Sequence, residues 1–283
     1  MALLASANPA STRTGRRRTA GSARRLTRTT GLGLGMAMLW FSLLVLIPLA
    51  AVIVAAAGGG WSTFRDVLTD PGTVATLRFT LTTAVLVTLL NAVMGTLIAW
   101  LLVRDRFPGK ALLDLVIDIP FAMPTIVAGL VLLALYGHGG PLGVDVSGTK
   151  LGVVLAIAFV TLPFVVRAVQ PVLQALEADV EDAAASLGAS RATIMRRIIL
   201  PSLVPAITAG ASLSFARAIS EYGSVVLISM NARGVDVMST ETYRYIEGGD
   251  TAAAAAVAVI LLVIALASTV VLDVLQRTAA RRD

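Results

Sequence analysis

The sequence predicts an all-α integral membrane protein with about six transmembrane helices, and three observations support this fold class. They are the composition, the lengths of the apolar runs and the distribution of positive charge. Of the 283 residues, 57% are hydrophobic and only 14% are charged, whereas a soluble domain carries about 25% charged residues. At about 20 residues per span, the apolar runs account for most of the chain, so we expect one membrane domain.

The first predicted element is a basic tail over residues 1–30, which contains seven arginines and no acidic residue. This composition is typical of a disordered segment, and we expect it to lie in the cytoplasm, where anionic membrane lipid attracts it. The apolar core that follows, at about residues 36–57, is longer than the ~7–15 residues of a signal peptide. We therefore interpret residues 31–75 as a retained first span and an outer loop.

The transmembrane core is predicted over residues 76–275, and a short second cytoplasmic tail over 276–283. Pro120 and Pro124 interrupt the third apolar run and are expected to kink this span. Residues 203–230 are long for one span, which suggests a helix followed by a short re-entrant or interfacial piece. The five spans of this core are predicted at residues 79–103, 119–136, 151–166, from about 203, and 251–272.

The distribution of basic residues predicts the orientation. With the N-terminus inside, 17 of the 23 Lys and Arg residues fall on the inner side and five outside. Because inner loops are enriched in basic residues, both termini and the loop at residues 167–202 are predicted to be cytoplasmic. The net charge of +6 then needs no nucleic-acid partner.

No catalytic or metal site is predicted. The sequence GVDVSGTK at residues 143–150 is close to a phosphate-binding loop, but its Thr and Lys are exchanged and no strand precedes it. His138 is the only histidine and there is no cysteine, so we expect an exposed loop residue and no metal ligand set. Because no histidine lies in the membrane spans to pair with a serine, we also find no nucleophilic triad.

The segment at residues 179–205, DVEDAAASLGASRATIMRRIILPSLVP, is the polar, charge-bearing stretch within this apolar core. We expect an amphipathic helix over residues 176–187, a turn at Gly188, and a second helix that Ser190 caps and that runs through Arg197. Such a helical pair is suited to docking another protein. The alternative is a merely solvated amphipathic hairpin.

Arg217 and Glu221 are the most costly residues of the predicted fifth span. Arg217 lies about 21 Å along a helix that starts near residue 203, and a charge at such a depth costs at least about 2.5–3.5 kcal/mol. Their i, i+4 spacing predicts an ion pair on one helix face. The pair, with Tyr222 and Ser224, either lines or gates an anion path or forms a structural ion pair.

The docking segment resembles the EAA loop of ABC-importer permease subunits. The matching pattern is D-A-A-x-x-x-G, nine residues, then I-x-L-P, with Asp182 where the family usually has Glu, and Glu181 just before it. The residues that carry the resemblance are Glu181, Asp182, Ala183, Ala184, Gly188, Ile198, Leu200 and Pro201.

Three further stretches resemble the permeases of sulfate and thiosulfate importers of the CysT type. They are RFPGKALLDLVIDIPFAMPTIVAG (106–129), LPFVVRAVQPVL (162–173) and SFARAISEYGSVVLISMN (214–231). Together these stretches span most of residues 75–275. Molybdate permeases share the loop and part of the last stretch, so a molybdate or tungstate permease is an alternative.

The resemblance implies the type I importer fold and a set of partners. These are a second permease subunit, two copies of a cytoplasmic ATPase that uses ATP and Mg, and an extracytoplasmic sulfate-binding protein that delivers sulfate or thiosulfate. It implies no cofactor bound by this chain and a location in the inner membrane of a prokaryote. A membrane enzyme or assembly factor that uses its loop to bind another protein is the alternative from a different class.

Overall fold

In the computed structural model, residues 28–176, 178–230, 232 and 234–280 are described, and every regular element among them is a helix. The predicted basic tail, up to residue 27, and residues 281–283 of the predicted C-terminal tail lie outside this part of the chain. The predicted all-α fold is confirmed. The chain divides into two compact units, Met1–Leu49 and Ala50–Asp283.

The first unit contains helix α1 (Arg28–Phe41) and a π-helical turn (Ser42–Leu46). With α2 (Ile47–Gly58), they form the apolar helical run Gly31–Gly58, which is long enough to cross a membrane. Its 28 residues are enough to cross the hydrocarbon core of a bilayer.

The second unit also holds the remaining helices, four of which are long and apolar enough to span a membrane: Pro71–Arg104, Lys150–Ala175, Arg191–Ile219 and Thr251–Val271. The helices of this unit after α2 are α3 (Gly60–Thr69), α4 (Pro71–Arg104), α5 (Lys110–Ala122), α6 (Thr125–Tyr136), α7 (Lys150–Ala175), α8 (Ala178–Ser186), α9 (Arg191–Ile194), α10 (Leu200–Ile219), α11 (Gly223–Ile228), α12 (Met238–Glu247) and α13 (Thr251–Ala280).

Helices α4 and α7 run in parallel at the centre of this unit. Asn91 of α4 donates to Thr161 Oγ1 of α7 at 2.8 Å, and one turn further on Gly95 lies against Val165. Gly210 of α10 reaches the same valine from the other side, where an added Cβ would lie 2.8 Å from the Val165 Cα. The absence of side chains at these two glycines lets three membrane helices approach closely.

The apolar core has separate clusters at the two ends of this bundle. One contains Ala99, Leu173 and Leu203, near the end where α4 and α7 finish. Another contains Val87, Val153 and Ile219, toward the opposite end. The bundle therefore has a loop end, which carries α8, and a far end, which carries α11 and α12.

The predicted third span is broken rather than kinked. Pro120 lies inside α5, whereas Met123 is extended (φ −104°, ψ 146°) and Pro124 precedes the first residue of α6. A residue before proline disfavours the helical conformation, and proline itself has no N–H to donate, so the helix ends at Ala122. The predicted interruption of the run is confirmed at Pro124, where it is a break rather than a kink, whereas Pro120 stays within α5.

Arg167 fixes α5 to α7. Its guanidinium donates to Asp118 Oδ1 at 2.7 Å and to Asp114 Oδ1 at 2.7 Å. The predicted end of the fourth span at residue 166 was wrong, because α7 continues to Ala175. A charged residue remains in the helix because two carboxylates compensate it.

The predicted division of residues 203–230 is confirmed, with α10 ending at Ile219 and the short helix α11 following. The fifth span was predicted to start near residue 203, and the second helix of the docking segment was predicted to end at Arg197. Both predictions were wrong. Arg191–Ile219 is one continuous helical run. A π-helical turn at Met195–Ile199 precedes Pro201, and such a turn accommodates the hydrogen bond that proline cannot make.

Candidate functional site

Helix α8 ends in a Schellman motif. Gly188 has φ +86°, its N–H donates to Ala185 O at 2.9 Å, and the Ala189 N–H donates to Ala184 O at 3.0 Å. Only glycine adopts this left-handed conformation without strain, and nothing lies within 4 Å of the position of an added Cβ. The predicted turn at Gly188 is confirmed, with its cause in the backbone rather than in packing.

The two adjacent carboxylates of α8 have different surroundings. Glu181 is half-buried and forms an ion pair with Arg104, in the last turn of α4. The Arg104 guanidinium also lies 5.6 Å from the centre of the Trp100 ring. Asp182 is exposed, and among the described residues its carboxylate makes no ion pair. Glu181 therefore holds α8 to the bundle, and Asp182 is free to meet another molecule.

The outer surface of α8 is small and apolar. Ala183 and Ala185 are exposed, and Leu187 is 90% exposed. Ala184 instead packs, with Ala189, against the loop-end core cluster. An exposed leucine beside alanines offers a surface that a partner can approach closely, which favours docking over a merely solvated hairpin.

The remaining residues of the loop pattern begin the long helix rather than close a separate loop. Ser190 caps it, its Oγ accepting from the Thr193 N–H at 3.2 Å. Ile198 packs against the loop-end cluster, while Leu200 is exposed. Movement of the loop would therefore pass directly into α10 through a continuous helical backbone.

Arg217 and Glu221 form the predicted ion pair, with Arg217 Nη2 2.6 Å from Glu221 Oε2. The expectation that they share one helix face was wrong, because α10 ends at Ile219 and Glu221 lies in the connection to α11. The Glu221 side chain is 0% exposed and that of Arg217 is 29% exposed. The pair thus connects the buried Glu221, between α10 and α11, to the partly exposed Arg217 on α10.

Glu221 organises the entire junction. Its Oε1 accepts from the Ser224 N–H and from Ser224 Oγ, both at 2.9 Å. Its backbone carbonyl accepts from Ser239 Oγ of α12. Tyr222 contacts the ring of Tyr243, also in α12, at 5.6 Å between centroids. The predicted residues Glu221, Tyr222 and Ser224 therefore link α10, α11 and α12.

A cavity of about 830 Å³ opens at the far end, and of the four predicted path residues only Tyr222 lines it. Its wall carries an ion network that the sequence analysis missed. Arg244 Nη2 lies 2.7 Å from Asp236 Oδ2, and Arg244 also pairs with Glu241. Burial raises the pKa of Glu241, and the neighbouring Asp236 raises it further, against the opposing effect of Arg244.

His138 is an exposed loop residue, as predicted, with Nδ1 3.6 Å from Asp145 Oδ2. The Ser147 hydroxyl and N–H bond the Asp145 carboxylate and lower its pKa. The stretch Gly143–Lys150 forms a loop that ends where Thr149 caps α7, with the Gly152 N–H donating to Thr149 Oγ1 at 3.1 Å. This loop has no preceding strand in the described chain, and the phosphate-loop interpretation is excluded.

The family model for the binding-protein-dependent transport system inner membrane component matches residues 91–282. The sulfate transport system permease protein CysT of Salmonella typhimurium is 40% identical over 269 residues, which cover 92% of this chain and 97% of that protein. The protein of the same name from Synechocystis sp. is 41% identical over 252 residues, covering 86% and 88%.

Among solved structures, a chain of a bacterial alginate ABC transporter, in complex with a pentasaccharide-bound periplasmic protein, superposes with a TM-score of 0.76 at 17% identity. The match covers 88% of this chain and 94% of that chain, and it confirms the predicted importer fold. The family match and the membrane helices together confirm a multi-pass membrane protein. The chain belongs to the family of inner membrane components of binding-protein-dependent transport systems, and it is a transport subunit.

Proposed function

We propose that this chain is the permease subunit of an ATP-driven sulfate importer that also accepts thiosulfate, and that it forms half of the translocation path. The assignment of sulfate as the substrate is supported by the 40% identity to a sulfate permease along nearly the full length of both proteins. Identity of this extent spans the helices that would surround the anion as well as the loop that would meet the ATPase.

The exposed surface of α8 supports the coupling part of the proposal. Asp182, Ala183 and Leu187 would dock into a groove of the cytoplasmic ATPase, and Glu181 would hold α8 against α4 through Arg104. The complex would contain a second permease subunit, two ATPase copies that use ATP and Mg, and an extracytoplasmic sulfate-binding protein. This chain would bind no cofactor of its own.

The orientation follows from this docking. The loop end would face the cytoplasm of a prokaryotic cell, with both termini on that side, and the far end would face outward. When ATP closes the ATPase dimer, the α8 helices of the two permeases would approach each other. The movement would reach α10 along the run Arg191–Ile219 and reach α4 through Arg104, opening the path outward, and hydrolysis would reset it.

The role of Arg217 and Glu221 in this cycle follows from their different exposure. Glu221 would be the fixed member, since its carboxylate already bonds Ser224 and Arg217. The partly exposed guanidinium of Arg217 would be the member that an anion meets at the path, beside Tyr222 and Ser224 at the outer junction. The chain itself would make or break no substrate bond.

The test is uptake of radiolabelled sulfate by cells with and without this chain, with the partner subunits present in both. We expect uptake that requires the chain and resists excess molybdate. Uptake that persists after deletion would reject sulfate import by this chain. Uptake that requires the chain but is abolished by molybdate would indicate a molybdate permease.

A control variant makes the uptake test specific for coupling. Asp182→Arg reverses an exposed carboxylate of α8, whereas Glu247→Arg makes the same reversal at the exposed end of α12. We expect loss of ATPase capture in a pull-down with purified protein for the first variant only. Equal capture by both variants would contradict docking through α8.

A further inference from the structure

A second cavity at the far end, of about 460 Å³, has a lining whose charged side chains are all basic. Arg78 and Lys150 are its two charged residues, and no carboxylate lines it. The full lining is Pro71, Val74, Ala75, Arg78, Phe79, Thr82 and Lys150. A concave surface with two cations and no anion attracts an anion more strongly than isolated surface charges do.

Arg78 lies on α4 where the helix emerges from the hydrocarbon. The 34 residues of α4 extend about 51 Å, well beyond a hydrocarbon core of ~30 Å, so its early turns stand at the boundary with water. The Arg78 side chain is exposed and, among the described residues, makes no ion pair. Thr82 follows at i+4 on the same helix face. Its hydroxyl donates to the Arg78 backbone carbonyl at 2.8 Å, so Thr82 marks the edge of the cavity and supplies no donor to it.

Lys150 is positioned by an aromatic ring. Its Nζ lies 5.4 Å from the centre of the Phe79 ring, and Phe79 lines the same cavity. A cation above a ring face is held by the electrostatic attraction of the ring, yet its N–H groups directed away from the ring stay available. The two cations thus reach the cavity from different helices, α4 and α7.

The neighbouring 830 Å³ cavity provides the contrast. It shares Ala75, Phe79 and Lys150 with the 460 Å³ cavity. Its lining also includes three carboxylates, from Asp236, Glu241 and Glu247, against two cations, Lys150 and Arg244. A doubly charged anion would be disfavoured there. Of the two cavities, the one beside Arg78 therefore has the charge that favours an anion.

We propose that Arg78 and Lys150 form an entry site for a tetrahedral oxyanion at the far end of the bundle, with Thr82 at its edge. The anion is held by the guanidinium and the ammonium before it moves deeper. Two parts of this proposal rest on the proposed function: that the anion is the transported sulfate, and that the far end faces outward. The capture of an anion at this cavity is independent of the proposed function.

The test uses the absence of cysteine from the chain, which makes Thr82→Cys a single labelling site at the exposed edge of the cavity. Membranes that contain the assembled transporter are labelled with a negatively charged and with a positively charged methanethiosulfonate reagent. We expect the anionic reagent to react faster, and Arg78→Gln with Lys150→Gln to reduce that preference by roughly tenfold. Arg65→Gln, which removes an exposed arginine of α3 outside the cavity, is the matched control.

Protection experiments identify the occupant. Sulfate should slow labelling of Thr82→Cys relative to chloride at equal ionic strength, and the double glutamine variant should lose this protection. Protection by anionic lipid in nanodiscs, in the absence of sulfate, would overturn the proposal in favour of a headgroup site. Equal reaction of both reagents, or no reaction at all, would also overturn it.

The labelling and uptake experiments can contradict the entry site and the proposed substrate independently of each other. If sulfate uptake does not require this chain but sulfate protects Thr82→Cys, the entry site stands and the proposed substrate falls. If uptake requires the chain while labelling shows no charge preference, the importer stands and the entry site falls.

Discussion

The two ends of the bundle hold their charged residues in opposite ways. At the loop end, Asp182 is exposed and α8 is tied to α4 through one partly exposed ion pair, Arg104 with Glu181. At the far end, the carboxylate of Glu221 is fully buried and bonded to both Arg217 and Ser224. Helix α8 is thus held by this pair and by Ala184, which packs on the loop-end core cluster, whereas at the far end Glu221 contacts three helices through its side chain and its carbonyl.

This difference indicates where motion enters and where it is resisted. A docking element that a partner must move gains from having few ties, and α8 is joined to α4 by the single ion pair of Arg104 with Glu181. A junction that turns the chain inside the membrane cannot leave a carboxylate unpaired, since the penalty is several kcal/mol.

Glu221→Gln should produce the largest loss of stability. It leaves Arg217 without its counter-charge, and breaking a buried pair in this way costs about 3–5 kcal/mol. The measurement is the thermal unfolding midpoint of the detergent-purified protein. Glu247→Gln, an exposed carboxylate at the same end, is the control, and equal midpoints for the two variants would show that Glu221 does not hold the junction.

Gly188→Val should abolish coupling while the protein still inserts. A left-handed conformation costs a side-chain-bearing residue about 1–2 kcal/mol, so the C-terminus of α8 would leave its docking position. Gly139→Val is matched, because Gly139 also has a positive φ (+75°) and open space around it, but lies in the loop after α6. We expect ATPase capture to fall about tenfold for the first variant alone, and a similar fall for both would contradict this interpretation.

Variants that reverse the charges of Arg104 and Glu181 should distinguish a role of this ion pair in transmitting movement from α8 to α4 from a role in folding. Arg104→Glu or Glu181→Arg places like charges together, and we expect sulfate uptake to fall roughly two- to fivefold with little change in yield, because the pair is partly exposed. The double variant Arg104→Glu with Glu181→Arg should recover most of the uptake. No recovery would mean that the two residues act independently.

Asp70 should give the smallest effect, at the far end. Its carboxylate accepts from the Thr73 N–H at 2.6 Å as the cap of α4, and this bond lowers its pKa. Since the folded pKa lies below the unfolded pKa of about 3.9, the stabilisation is present above that pH and is lost as the pH falls through the folded pKa. Asp70→Ala should lower the unfolding midpoint slightly at neutral pH, whereas Asp70→Asn should retain the cap. A midpoint for Asp70→Ala equal to that of the unsubstituted protein would contradict a capping role.

Local chemistry explains which predictions the structure confirmed. The turn at Gly188 and the cap at Ser190 depend on a few adjacent residues, and both were found as predicted. The break before Pro124 was underestimated, because sequence alone cannot tell a kinked helix from two helices. The i, i+4 carboxylates Asp114 and Asp118, in an apolar run, were an unused signal for a basic partner on another helix.

The sequence by itself determined the helical membrane fold, the apolar runs and the residues of the docking loop, because hydrophobicity, glycine and capping act over short distances. Tertiary structure alone decided that Glu181 pairs with Arg104, that Glu221 leaves the helix to close a junction, and that Arg78 and Lys150 share a cavity. These residues lie far apart in sequence or across a helix end. Their contacts depend on how packed helices align, a property that no local pattern encodes.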